Sequence, residues 1–174
     1  MIGRSGAPLI TAALLAACAS TPPTPQPGWT SGRMSVRIEA SEDAGPRSVG
    51  SAFELRGGAS SGELRLSTPL GTRMATARWA PGEALLTTSD GERRFASLEV
   101  LSREALGEAL PLAALADWLA GRPWPDAPHR AVDAGFEQLG WRVSLARLAE
   151  GWIEARREAA PAVVVRVKLD PREP

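Results

Sequence analysis

From Arg33 onward the chain alternates apolar and polar side chains with a period of two, run after run, and each run stops at a short turn signal. Met34, Val36 and Ile38 alternate with Arg33, Ser35, Arg37 and Glu39, the pattern of a strand with one dry face and one wet face. Val49, Ser51, Phe53 and Leu55 share the next dry face. Leu64 and Leu66 follow, set against Glu63 and Arg65. Runs over 74–79, 83–88 and 92–96 are separated by Pro81-Gly82 and Asp90-Gly91, which favour tight hairpins. A meander of six antiparallel strands is predicted.

The period then changes. Ser102 can cap a short helix with Ala105, Leu106 and Leu110 on one face. Pro111 can open a second, with Leu112, Leu115, Ala116 and Leu119 at helical spacing before Gly121 and Pro123 stop it. After a Pro-rich crossing, RPWPDAPHR, period two resumes over 134–139, 141–146, 152–156 and 163–169. The fold class is therefore α+β, with about ten to eleven strands. Two short helices cannot cover such a sheet, so it is expected to curl around them as an unclosed antiparallel β-barrel with the helices in its concave face. Any part left uncovered is an apolar cavity. Its candidate walls are Val36, Phe53, Leu55, Leu64, Leu66 and Trp118, each equally readable as plain core.

The N-terminus has a different character. A single cation, Arg4, precedes the apolar run APLITAALLAA over 7–17, which is too short to span a bilayer and suits the apolar region of an export signal. Residues 1–17 are predicted to be a signal peptide. They lead into Leu15-Ala16-Ala17-Cys18, which resembles the lipobox of bacterial lipoproteins, where the cysteine becomes the acylated first residue. Cys18 is the only cysteine; within one chain it has no disulfide partner, and a buried apolar role is the ordinary alternative. Its place before the Pro-rich TPPTPQPG favours lipidation, with 18–28 as a tether and 29–174 as the folded domain. Ala19, rather than Asp, follows the cysteine, which points to the outer membrane.

Other chemistry is poorly supplied. Twenty basic and twenty acidic side chains cancel, leaving no broad electrostatic footprint for nucleic acid or for an anionic membrane surface. His129 is the sole histidine, and neither a metal cluster nor a phosphate-binding glycine loop is evident. No enzyme activity, metal or cofactor is expected, and the chain is expected to act as a monomer.

One loop stands out. In LSTPLGTR, Pro69 suits the second position of a type I turn and Gly71 the fourth, which puts Leu70 third, at a solvent-facing apex. A scattered surface leucine needs no function, so both readings of Leu70 stay open on the residues alone.

Several segments together resemble one family, LolB, the outer-membrane lipoprotein receptor and insertion factors of Gram-negative bacteria. They are the lipobox LAAC, the strand entry WTSGR, the LSTPLG turn, the helix LPLAALADWLAGRP and FEQLGWRV. The resemblance implies an unclosed β-barrel with helices in its concavity and an apolar cavity for lipoprotein acyl chains. It also implies receipt of that cargo from the periplasmic carrier LolA, insertion into the outer membrane, and no catalysis. Leu70, flanked by Pro69 and Gly71, then corresponds to a leucine that projects from the barrel and places cargo in the membrane. The chain departs from the family in its short, polar and Pro-rich connection between Cys18 and Trp29, and in its DPREP end. A reading of a different class is a structural outer-membrane lipoprotein with a filled core and no transport role.

Overall fold

The computed structural model describes residues 28–40 and 45–171. Among these residues eleven strands form one sheet. In chain order they are β1 (Thr30–Ile38), β2 (Arg47–Gly57), β3 (Gly62–Ser67), β4 (Arg73–Ala80), β5 (Glu83–Thr88), β6 (Gly91–Phe95), β7 (His129–Val132), β8 (Gly135–Gln138), β9 (Trp141–Ser144), β10 (Trp152–Arg157) and β11 (Val163–Leu169). Helices α1 (Leu98–Leu106) and α2 (Leu112–Leu119) fall between β6 and β7. The spatial order is β6-β5-β4-β3-β2-β1-β11-β10-β9-β8-β7, with every pairing antiparallel. β6 and β7 are its two free edges, so the sheet is unclosed, as the strand count and the short helices require.

Register carries the alternation into three dimensions. Phe53 lies opposite Leu66, Leu55 opposite Leu64, and Leu64 opposite Ala77. Across the join between the two ends of the chain, Met34 meets Val167 and Val36 meets Val165. These residues pack with the helices into one apolar core, while arginines and glutamates occupy the opposite face. Gly62 is needed where the sheet is tightest, because a Cβ there would stand 2.4 Å from the Trp79 ring. That ring's Nε1 donates to the Gly58 carbonyl at 2.9 Å and ties down the β2–β3 turn.

The helical region departs from expectation at its start. Helix α1 begins at Leu98 and is capped by Ser97, whose hydroxyl accepts from the Val100 amide at 3.2 Å. Ser102, the expected cap, lies inside the helix and is buried. Its Oγ donates to the Glu99 carbonyl and accepts from the Leu110 amide, both at 3.0 Å, which makes it a strut between α1 and the connection to α2. The Pro-rich crossing also ends sooner than predicted. His129–Val132 forms β7, pairing Ala131 with Phe136. Four residues are too few for a period to register against the prolines before them.

Candidate functional site

Helix α2 has no charged residue among its apolar ones except Asp117, and its Leu112, Leu115 and Trp118 face the sheet. Between that face and the inner sides of β1, β9, β10 and β11 lies an apolar hollow of about 50 Å³, bordered among others by Met34, Val36, Ile153 and Val165. Of the residues proposed from sequence as cavity walls, Val36 and Trp118 border this hollow. Phe53, Leu55 and Leu64 are buried in the core, and Leu66 is half-buried against them; none of these four touches the hollow.

Size decides what the hollow can hold. An apolar cavity of about 150 Å³ admits benzene, so the present space is smaller than a benzene site. A larger apolar guest would require α2 to move off the sheet. Such movement costs apolar contact, since the hollow's lining is almost wholly hydrocarbon, and the hydrogen bond from Trp118 to Gln138.

Two polar devices locate the helices over this region. Gln138, on the dry face of β8 and buried, accepts at Oε1 from Trp118 Nε1 (2.8 Å) and from the Trp124 amide (2.9 Å). Its Nε2 donates to the carbonyls of Trp124 (2.7 Å) and Ala127 (2.8 Å). One amide thus satisfies four partners and pins α2, the crossing and β8 together. At the other end of α2, Arg157 of β10 pairs with Glu108 in the α1–α2 connection at 2.6 Å and donates to the Pro161 carbonyl. Sequence reasoning missed both. The available signal for Gln138 was a polar residue in phase with Phe136 on a dry face.

The β3–β4 connection gives Leu70 its setting. The Gly71 amide donates to the Thr68 carbonyl at 2.9 Å, closing the predicted turn, and the Thr68 amide donates to the Thr72 carbonyl at 2.9 Å. Gly71 takes φ +87°, the left-handed conformation that follows a type I turn in a three-residue hairpin loop. Leu70 is therefore held out from the sheet with 94% of its surface exposed. The neighbouring Met74 is also exposed, so the apex is an apolar point backed by a stiff hairpin.

The family model described as outer membrane lipoprotein LolB matches residues 29–170. The chain belongs to the LolB family. It is 34% identical to the outer-membrane lipoprotein LolB of Bordetella petrii, over 90% of this chain and 87% of that protein. It is also 34% identical to the LolB of Ralstonia nicotianae, over 92% and 83%, and 32% identical to that of Cupriavidus pinatubonensis, over 97% and 92%. Membership makes the chain an outer-membrane lipoprotein with a receptor role in lipoprotein localisation, a role without catalysis. The proposed signal peptide, Cys18 and the tether up to residue 27 lie outside the described residues.

The outer face of this LolB-family sheet is built from ion pairs. Glu63 on β3 is 3% exposed although it faces outward. Arg56 and Arg65 each reach its carboxylate at 2.6 Å and Arg78 stands at 3.6 Å, while the Trp29 ring lies against both Arg56 and Arg65. Burial alone pushes the Glu63 pKa up, but the hydrogen bonds and charges of Arg65 and Arg56 outweigh it and hold the carboxyl below its ordinary range. This cluster fixes the point at which the chain enters β1.

Proposed function

We propose that this chain accepts lipoproteins from a LolA-type periplasmic carrier by taking their acyl chains beneath α2, and then delivers them into the outer membrane. The observation that carries the reading is the all-apolar hollow between α2 and the joined ends of the sheet, bordered by Val36, Leu115 and Trp118. Exposing one acyl chain of about sixteen carbons to water costs on the order of 12 kcal/mol at ~0.8 kcal/mol per methylene, so cargo needs continuous cover between membranes. Swinging α2 outward enlarges the hollow at the cost of its own contacts, and the tail replaces those contacts as it enters. Uptake therefore needs no nucleotide.

Leu70 acts at delivery. Inserting one leucine gains about 1.5–3 kcal/mol, enough to disturb lipid packing but not to hold the protein, and lasting attachment falls to the acylated Cys18. A fluorescent long-chain acyl probe tests the cavity. Saturable binding, displaced by a lipoprotein, is expected; its absence would leave the structural lipoprotein with a filled core as the correct reading. Leu70→Glu is expected to fold normally and to take cargo from the carrier, because the side chain touches solvent only, yet to fail in transferring it to vesicles. Normal transfer by that variant would remove Leu70 from the mechanism.

A further inference from the structure

A second leucine occupies a hairpin apex. Leu139 and Gly140 form the two-residue turn between β8 and β9, with φ +53° and +76°, the left-handed pair of a type I′ turn. That turn favours Asn, Asp or Gly at its first position and is strained for leucine. Leu139 is nonetheless 46% exposed, so neither the local backbone nor the core accounts for its side chain.

The pairings place this apex at the same end of the sheet as Leu70. Glu137 lies level with Arg37 of β1, through Arg142, Arg156 and Val164. Ser67 lies level with Arg33, through Ala52. β3 and β8 both run toward the β1 C-terminus, and each turns back just beyond these rows. The two leucines thus stand on either arm of the open sheet.

The row beneath Leu139 is basic. Following one register line outward from β1 across five further strands, Arg37, Val164, Arg156, Arg142, Glu137 and Arg130 lie side by side on the wet face. Arg37, Arg130, Arg142 and Arg156 keep 47–70% of their side-chain surface exposed. Arg130 and Arg142 share one carboxylate, that of Glu137, Arg156 and Arg166 share that of Glu154, and Arg37 pairs with Glu39, so five arginines meet three glutamates and positive charge is in excess. A cleft of about 580 Å³ opens beside it, bordered by Arg130, Arg142 and Arg156, by Glu137 and Glu158, and by Leu139 among others. An apolar tip with a register row of arginines behind it matches the layering of a bilayer surface, hydrocarbon first and phosphate above.

We propose that Leu139 and the arginine row behind it form a second contact with an anionic lipid surface, so that the barrel meets the membrane on two hairpin tips, Leu70 and Leu139. The inference rests on the membrane-facing reading of Leu70. Its test keeps the two separable. A genetically encoded solvatochromic side chain is placed at position 70, at 139, or at Ser60 in the β2–β3 turn of the opposite end. Each full-length chain is then mixed with vesicles of phosphatidylethanolamine and phosphatidylglycerol. A blue shift at 70 and 139 but not at 60 is expected. A shift at 70 alone overturns the second contact and leaves the first. No shift at either position overturns both. A shift at 139 that requires the carrier protein rather than vesicles marks a protein-docking site and likewise overturns the proposal.

A companion variant separates contact from folding. Leu139→Asn supplies the residue this turn favours, so its melting temperature is expected to equal or exceed the parent's, while its transfer of lipoprotein to the same vesicles falls several-fold. Unchanged transfer by a fully folded Leu139→Asn chain contradicts a role in lipid contact.

Discussion

Glu63 is the side chain whose environment differs most from its neighbours on the wet face, since three arginines close over a buried carboxylate. Its folded pKa is depressed, so the stabilisation it provides is complete above the ordinary glutamate range and is lost as pH falls through the folded value. Glu63→Gln is expected to cost about 1–3 kcal/mol at neutral pH by leaving charged partners unmatched. It is also expected to flatten the acid limb of the stability curve, as urea unfolding at neutral and acid pH would reveal. An acid limb identical to the parent's would assign that limb to other carboxylates. At this scale the sequence is partly legible. Leu70 is readable because Pro69 and Gly71 bracket it within a turn of known geometry, and that turn forms. Gln138 and Glu63 are not readable in their roles, because each depends on partners from distant segments: Trp118 and Ala127 for one, Arg56 and Arg78 for the other.

Among the elements, strands were the most legible, because burial on one face enforces a two-residue repeat that survives over β1 to β5 and β8 to β11. Helix boundaries were less so. Ser97 and Ser102 both stand in front of apolar residues, and only the helix's packing on β5 and β6 selects the first as cap. β7 escaped notice because its pairing with β8, rather than its own residues, makes it a strand. The α1–α2 unit is held at three points: Ser102 to Leu110, Glu108 to Arg157, and Trp118 to Gln138. The middle one is an ion pair whose two side chains are each 18% exposed, and it ties the unit to β10 beside the apolar hollow. Glu108→Ala is expected to lower stability by about 1–3 kcal/mol and to speed both amide exchange in α2 and uptake of the acyl probe. Slower uptake would mean that this pair shapes the entrance rather than restraining the helix. The free edges β6 and β7 carry Glu92, Arg93, Arg94 and Arg130, charges that discourage edge-to-edge association of copies.

For the whole molecule, β1 starts at the end of the sheet opposite the Leu70 turn: Thr30 is level with Leu55 and Leu64, and Leu70 lies about 20 Å further along at ~3.3 Å per residue. On the proposed acylation of Cys18, a dozen or so residues separate the anchor from Thr30, and a chain of that length spans at most about 40 Å at ~3.3–3.6 Å each. That exceeds the roughly 20 Å between the level of Thr30 and Leu70, the span that the proposed delivery requires. Removing residues 19–27 shortens that limit to roughly 10 Å, below the span to be covered. The deletion is expected to leave acyl-probe binding intact but to abolish delivery in a reconstituted vesicle assay, and inserting a flexible segment of equal length should restore it. Undiminished delivery would mean that the barrel lies on its side. The fold itself sets this constraint by opening its first strand at the far end. Under the proposed anchoring the molecule is moored by the stern while it works at the bow, and the line must be at least as long as the hull.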